Sequence, residues 1–187
     1  MADRKKNALL IIDVQKGIDD PRLGQRNNPF AETNIARLLA DWREQDLPII
    51  HIQHCSGEPD SPLRPELPGN AFKDEAMPLP GEPVFTKNVN SAFVGTGLED
   101  YLRSKDISRL VIVGLTTDHC VSASTRMASD LGFNVFLVAD ATATHERTGY
   151  DGATFAADEM HQINLASLNG EFCRVIEADE ILAKFLN

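Results

Sequence analysis

The chain has 187 residues, of which 42% are hydrophobic and 25% are charged, so it is long enough for one domain with a sizeable core but too short for two. Its net charge of −10 comes from scattered acidic residues, which argues against nucleic-acid or anionic-membrane binding and favours small-molecule partners. The apolar run at residues 8–12 is too short for a signal-peptide core, and no stretch could span a bilayer. We therefore expect a single cytoplasmic domain over residues 1–187.

The three cysteines are Cys55, Cys120 and Cys173, which lie far apart and show no CxxC spacing. An odd number of widely spaced cysteines favours neither a disulfide framework nor a zinc cluster. We predict no metal and no cofactor.

The first predicted strand, residues 8–14, is apolar and carries Asp13 near its end. Taken alone, such a carboxylate more often caps the following turn than performs chemistry. Residues 15–30 are polar and contain glycine and proline, which predicts a loop. A helix is expected from Thr33 onward, because apolar residues follow at helical spacing, namely Ile35, Leu38, Leu39 and Trp42.

The next predicted strand, residues 47–53, contains His51, and His54 follows directly after it. Two histidines this close in sequence raise the question of a shared metal ion. Residues three apart on a strand point to opposite faces, and the pair cannot chelate an ion while the strand continues between them. A packed or hydrogen-bonded histidine is the favoured interpretation of each.

Residues 56–83 contain seven prolines and three glycines and are too long for an ordinary connection. Such an excursion is typical of a lid or an interface. It carries Arg64, Phe72 and Lys73, which could close over a ligand, although solvated charges and a packed phenylalanine explain them equally well.

A short strand at residues 84–87 ends in Lys87, as the first strand ends in Asp13. Thr96 and Glu99 then have the spacing of a capping box, which predicts the start of a helix.

The stretch from residue 109 to residue 120 is the most informative part of the chain. Residues 109–115 are almost wholly apolar and β-branched, which predicts a strand buried on both faces of a parallel sheet. A helix capped by Thr117 or Asp118 is expected to follow and to end at Gly132. Cys120 would lie in its first turn, where free N–H groups and the helix dipole favour a thiolate. A lone cysteine, however, is most often a small buried hydrophobe.

The remaining predicted elements are a strand at 133–140, a helix at 151–168, a strand at 172–176 and a helix at 178–185. Six strands alternating with helices predict an α/β fold with a doubly wound parallel sheet between helical layers. Ligands bind such sheets outside the carboxyl ends of the strands, where Asp13, Lys87 and Cys120 all lie. An acid, a cation and a thiol on one edge suit amide hydrolysis.

Three segments also resemble the isochorismatase-like cysteine hydrolases, which include nicotinamidases, carbamoylsarcosine hydrolases and ureide or biuret hydrolases. The resemblance spans nearly the whole chain. It rests on Leu9-Leu10-Ile11-Ile12-Asp13-Val14-Gln15, on Thr86-Lys87 with Ser91-Ala92-Phe93, and on Gly114-Leu115-Thr116-Thr117-Asp118-His119-Cys120-Val121.

The resemblance implies a catalytic triad of Asp13, Lys87 and Cys120 in a three-layer α/β/α fold with strand order 3-2-1-4-5-6. It also implies a cis peptide between Leu115 and Thr116, and an oxyanion hole formed by the N–H groups of Thr116 and Cys120. Relatives of this kind form dimers or tetramers, so a homodimer or homotetramer is expected.

Two departures from the family pattern narrow the function. Nicotinamidases of the family carry an Asp-x-His and a further histidine for a metal ion, whereas this chain has Gln53-His54-Cys55 and no histidine between Ser56 and Lys87. The branch that hydrolyses isochorismate, an enol ether, lacks the nucleophilic cysteine in the usual position. Cys120 therefore argues against that branch.

We predict a hydrolase that uses Cys120 to cleave a C–N bond of a small amide, ureide or carbamoyl compound through a thioester. The alternatives are an enol-ether hydrolase of the isochorismatase type and a thiol protein that binds small molecules without turnover. The candidate substrate contacts are Gln15, Arg64, Phe72, Asn88, Phe93 and His119. His119 adjoins the nucleophile, but consecutive helical residues point about 100° apart.

Overall fold

A computed structural model describes residues 6–185 of the chain. Its strands are β1 (Asn7–Ile12), β2 (Ile49–His54), β3 (Val84–Lys87), β4 (Arg109–Leu115), β5 (Asn134–Ala143), β6 (Arg147–Thr148), β7 (Thr154–Phe155) and β8 (Arg174–Ile176). Its α-helices are α1 (Ala31–Glu44), α2 (Leu98–Ser104), α3 (Ser122–Asp130), α4 (Ala157–Leu168) and α5 (Ala178–Phe185). Within residues 6–185, no helix has the length and apolar composition needed to cross a bilayer.

Six strands form one parallel sheet in the order β3-β2-β1-β4-β5-β8. This confirms the predicted order, because β6 and β7 pair with each other in a separate hairpin and β8 is the sixth strand of the main sheet. The alternation of side chains along the central strand β1 explains the three layers. Leu9 and Ile11 pack on one side with α1 and α5, and Leu10 and Ile12 pack on the other side with α2, α3 and α4.

Several element boundaries differ from those predicted. Helix α1 begins at Ala31 with Phe30 at its N-cap, so Thr33 lies inside the helix. Gly97, in a left-handed conformation, takes the N-cap of α2, while the Thr96 hydroxyl accepts a hydrogen bond from the N–H of Leu98. Helix α4 begins six residues later than predicted, because the β6–β7 hairpin occupies the preceding segment.

Strand β5 continues to Ala143, beyond the predicted end at Asp140, and its register against β4 shifts between Ile112 and Gly114. Gly114 has a φ of +125° and pairs with Ile12 of β1. A Cβ at residue 114 would overlap the carbonyl oxygen of Ile12. Only glycine therefore lets the strands approach here, just before the chain reaches Cys120.

We expect Gly114→Ala to lower the free energy of unfolding by about 3 kcal/mol or more, because it combines an unfavourable φ with a backbone clash. Gly132→Ala is the matched control, since Gly132 also has a positive φ but a Cβ there meets nothing within 4 Å. That control should cost only about 1 kcal/mol. Urea denaturation of both variants measures the difference, and equal losses would contradict the explanation.

Ion pairs fasten the second half of the 56–83 excursion to the rest of the fold. Lys73 Nζ lies 2.6 Å from a carboxylate oxygen of Asp19 and 2.6 Å from one of Glu32, which is also held by Arg26 at 2.6 Å. Glu82 binds Arg43 at 2.7 Å and the ring of His51 at 2.8 Å. The excursion therefore packs against α1 and β2 as an ordered part of the domain.

We expect the free energy of unfolding to depend on pH through the carboxylate of Glu32. Burial raises its pKa, but hydrogen bonds from Arg26 and Lys73 outweigh burial and lower that pKa from 4.5 to about 2. A carboxylate whose pKa is lower in the folded state than in the unfolded state stabilises the fold fully at pH values above its unfolded-state pKa. For Glu32 this stabilisation is lost as the pH falls from about 4.5 to about 2.

Glu32→Gln should therefore destabilise the protein at pH 7 by about 1–2 kcal/mol, and the gap from wild type should close on acidification. Urea denaturation at a series of pH values provides the measurement. Glu159→Gln, at an exposed position of α4, serves as the control. A gap that stays constant down to pH 2 would contradict the assignment.

Candidate active site

A cavity of about 220 Å³ opens at the carboxyl ends of the central strands. Asp13 follows β1, Thr116 follows β4, and Cys120 lies a short turn beyond it. Further lining residues are Gly17, Ile18, Leu23, His54, Ser61, Pro62, Leu63, Asn90, Leu115, His119, His145 and Arg147. Ser61, Pro62 and Leu63 belong to the excursion, which thus forms a wall of the cavity in its own chain.

The three side chains expected at this edge meet around one ammonium group. Lys87 Nζ lies 2.6 Å from Asp13 Oδ2 and 3.3 Å from Cys120 Sγ. The side chains of Lys87 and Asp13 are almost fully shielded from solvent. Asp13 holds a left-handed backbone conformation with a φ of +52°, which turns the chain immediately after the strand.

The second oxygen of Asp13 is available to the thiol. Oδ1 is buried and accepts no hydrogen bond from a nitrogen or oxygen group within the described part of the chain. The carboxyl does interact with the Cys120 thiol, and the two groups offer atoms within 4.8 Å of each other. Asp13 therefore holds Lys87 with one oxygen and can receive a proton from sulfur with the other.

Electrostatics at the site differ from the expected stabilised thiolate. Burial, followed by the negative charge of Asp13, raises the pKa of Cys120 to about 12 although Lys87 lowers it. Burial also raises the pKa of Asp13, against the opposing effect of Lys87. In the resting protein the sulfur is therefore a thiol, and Asp13 is a stronger base than a carboxylate in water.

The turn that carries Cys120 is π-helical over Thr117–Val121 and precedes α3, so Cys120 does not lie in the first turn of the α-helix itself. Neither predicted cap acts as one. The hydroxyl of Thr117 lies 2.9 Å from His161 Nδ1, and Asp118 accepts hydrogen bonds from the Thr144 hydroxyl and from Arg147, the latter at 2.7 Å.

The peptide bond between Leu115 and Thr116 is cis. Thr116 and Cys120 both line the cavity, which is the placement that an oxyanion hole at their N–H groups would need. That role remains a prediction.

Of the six candidate substrate contacts, His119 lines the cavity, and its side chain is 57% exposed. The other five are not among the described residues that line it. Gln15 is fully buried: its side-chain amide donates to the carbonyl oxygens of His54 and Asn70 and accepts the N–H of His54. It supports the end of β2 instead of meeting substrate.

The other four also have places elsewhere. Arg64 donates to the carbonyl oxygen of Pro59 and pairs with Glu66, both within the excursion. Phe72 packs edge-on against His51, and Phe93 packs against Phe133. Asn88 is exposed beside the site.

Sequence reasoning missed several residues that line the cavity. Ile18 and Leu23 come from the loop at 15–30, and His145 and Arg147 come from the segment after β5. Asn90, which follows β3, places Oδ1 3.8 Å from Cys120 Sγ. The one available signal was the position of each segment directly after a strand of the sheet.

The group formed by Asp13, His54 and Cys120 offers three potential metal-ligand atoms within 4.8 Å of one another. Lys87 Nζ, however, contacts all three side chains, at 2.6 Å from Asp13, 2.9 Å from His54 Nδ1 and 3.3 Å from Cys120 Sγ. Since an ammonium group already supplies the positive charge here, these residues do not fit a metal ion.

Comparison with known proteins identifies relatives over the full length of the fold. A family model of the Isochorismatase domain matches residues 7–180. The chain is 43% identical over 182 residues to the isochorismatase family protein YrdC of Bacillus subtilis, covering 97% of each chain. It is similar to the crystal structure of an isochorismatase-family protein from Chromobacterium violaceum, with 49% identity and a TM-score of 0.94 over 97% of this chain and 94% of that one.

A further relative has a named activity. Ureidoacrylate amidohydrolase RutB of Agrobacterium fabrum is 36% identical over 137 residues, which cover 58% of this chain and 60% of RutB.

Proposed function

The chain belongs to the isochorismatase family and is a hydrolase, and from its site we propose that it cleaves a C–N bond of a small amide, ureide or carbamoyl compound through a thioester on Cys120. The observation that carries the proposal is the contact of Lys87 with both the Asp13 carboxylate and the Cys120 sulfur beside a cavity. The amidohydrolase name of a relative supports the same class of reaction.

The first half of the reaction forms the thioester. Asp13 takes the proton of the Cys120 thiol, and Lys87 stabilises the thiolate, which attacks the carbonyl carbon of the substrate. The N–H groups of Thr116 and Cys120 are proposed to donate to the resulting oxyanion. When the C–N bond breaks, Asp13 returns its proton to the departing nitrogen, which leaves as ammonia or an amine.

The second half restores the enzyme. A water molecule attacks the thioester while Asp13 accepts its proton, and the carbon–sulfur bond breaks. The proton returns to the sulfur and the acid departs. One water is consumed for each C–N bond cleaved, and a single carboxyl group serves in turn as base and acid.

The cavity limits the size of the substrate. Its volume of about 220 Å³ lies below the range of about 300–1,000 Å³ found for pockets that hold drug-sized ligands. The lining combines the apolar residues Ile18, Leu23 and Leu63 with the charged or polar residues Arg147 and His119. This lining suits a small compound with a short carbon skeleton.

A panel of small carboxamides, ureides and carbamoyl compounds, together with isochorismate, tests the proposal by detection of ammonia or amine. We expect release from at least one C–N substrate and a mass increase on the Cys120 peptide, by the acyl fragment, in acid-quenched samples. Turnover of isochorismate alone, with no acyl adduct, would overturn the proposal in favour of ether hydrolysis. Failure to turn over any compound while the protein is folded would also count against it.

A further inference from the structure

We infer that His54 is a positioning residue of this site, which accepts one hydrogen bond from Lys87 and thereby holds the ammonium group between Asp13 and Cys120. The inference rests on the proposed function, because it assigns a fourth side chain to the same reaction. Neither the family motif segments nor the triad includes this histidine.

The geometry around Lys87 accounts for all of its donors. An ammonium group has three N–H bonds, and within residues 6–185 Nζ has three acceptors, at 2.6 Å on Asp13, 2.9 Å on His54 and 3.3 Å on Cys120. Because the His54 contact is made by Nδ1 to a protonated amine, Nδ1 must be the unprotonated nitrogen of a neutral ring. The ring is thus an acceptor facing the cation.

The charge environment keeps the ring neutral. Burial and the positive charge of Lys87 lower the pKa of His54 to about 4, although a hydrogen bond with the backbone of Val89 raises it. At neutral pH the ring therefore accepts from Lys87 without competing for its proton. The contact with Val89 also ties His54 to the segment that carries Asn90, which faces the sulfur.

The fold fixes the position of His54 from two sides. His54 and Lys87 are direct partners in the parallel register of β2 and β3, so that their side chains emerge on the same side of the sheet. The backbone of His54 is held by Gln15, which accepts its N–H at 2.8 Å and donates to its carbonyl at 3.0 Å, and by Asn70 at 2.8 Å. The buried Gln15 thus serves the site indirectly, through His54.

Loss of the imidazole acceptor would leave one N–H of a buried ammonium group without a partner. A buried cation with an unsatisfied donor is disfavoured, and the ammonium group that stabilises the Cys120 thiolate loses one of the contacts that hold it in place. The titratable and charged side chains of this cluster and of the cavity beside it are Asp13 after β1, Lys87 from β3, Cys120 and His119 from the π-helical turn, and His145 and Arg147 after β5. His54 is the imidazole that contacts Lys87 Nζ.

The test compares His54→Phe, which removes the acceptor but keeps a ring, with His54→Asn, whose side-chain oxygen can replace Nδ1. The first readout is the rate of Cys120 alkylation by iodoacetamide as a function of pH, followed by peptide mapping so that Cys55 is counted separately. We expect His54→Phe to raise the apparent pKa of alkylation and to slow alkylation at pH 7 about 10-fold or more. His54→Asn should remain within about threefold of wild type.

His51→Phe is the structural control, because His51 lies on the same strand but binds Glu82 outside the cavity. It should lower thermal stability and leave the alkylation profile of Cys120 unchanged. With an accepted substrate, His54→Phe should reduce kcat with little change in KM. The inference would be overturned if Cys120 in folded His54→Phe were alkylated at the wild-type rate. It would also be overturned if His54→Phe and His54→Asn changed the alkylation rate equally.

Alkylation needs no substrate, so the two proposals can fail separately. A shifted alkylation profile without hydrolysis of any panel compound would leave the role of His54 standing and reject the proposed function. Hydrolysis of a panel compound by the wild type, together with an unshifted alkylation profile of His54→Phe, would support the proposed function and reject the role of His54.

Discussion

Cys120→Ala is expected to abolish thioester formation and to lower hydrolysis of any accepted amide on the order of 10³-fold or more. The sulfur is the nucleophile of the proposed mechanism, and none of the other described side chains that line the cavity is a thiol. Single-turnover assays with mass detection of the acyl adduct measure the effect. Substrate binding should persist, because the change removes one sulfur atom from the wall of the cavity.

Cys55→Ser is the matched control for that variant. Cys55 is a free, partly exposed cysteine two residues after Gln53, and it is not among the described residues that line the cavity. Its replacement should leave kcat within about twofold of wild type, as for ordinary substitutions away from a site. Undiminished ammonia release by Cys120→Ala would reject the covalent mechanism.

Asp13→Asn should reduce kcat by about 10²–10⁴-fold, because an amide can neither take the thiol proton nor return it to the departing nitrogen. Burial raises the pKa of Asp13, which makes this carboxylate a better acceptor of the thiol proton than a carboxylate in water. Steady-state assays over a range of pH values measure the loss.

The same change leaves the buried ammonium of Lys87 without its carboxylate, and breaking one half of a buried ion pair costs about 3–5 kcal/mol of stability. The double variant Asp13→Asn with Lys87→Met carries no unpaired charge, and it should recover thermal stability relative to Asp13→Asn alone. The catalytic effect is measured on Asp13→Asn itself, at a temperature at which thermal denaturation shows that this variant is folded. A wild-type kcat of folded Asp13→Asn would contradict the role of Asp13 as acid and base.

The sequence was a good guide to the sheet and to the meeting of Asp13, Lys87 and Cys120, for one physical reason. Buried parallel strands are short apolar runs, and their carboxyl ends share one edge, so a polar residue at each end is placed without knowledge of side-chain packing. The β6–β7 hairpin was missed because each strand has only two residues and Gly149 and Gly152 separate them, which leaves no periodicity to detect.

The substrate contacts were harder to predict because they depend on packing between distant segments. Gln15 and Phe93 lie within the segments that resemble the family, yet Gln15 holds the backbone of His54 and Phe93 packs on Phe133. Leu63 reaches the cavity because the excursion folds back beside Gly17, where a Cβ would meet Leu63 and the Pro62 carbonyl oxygen. A contact between segments this far apart in the chain leaves no local sequence pattern from which it could be predicted.

The thiol pKa could not be predicted from the position of Cys120 before a helix, because burial and the nearby Asp13 charge raise that pKa more than Lys87 lowers it. Placing the sulfur correctly was therefore not enough to assign its resting protonation state.

In the proposed mechanism one proton passes between the sulfur of Cys120 and the carboxyl of Asp13, and this has a consequence for the pH dependence of turnover. Moving that proton from one group to the other creates the reactive form without importing or releasing a proton from bulk solvent, and the summed charge of the cluster stays constant. The rate of turnover plotted against pH should consequently show a broad plateau around neutrality. On the acid side the plateau should end where the pair of Cys120 and Asp13 binds a second proton. Nearly all molecules of such an enzyme keep the protonation state needed for reaction when the pH of the solution changes moderately.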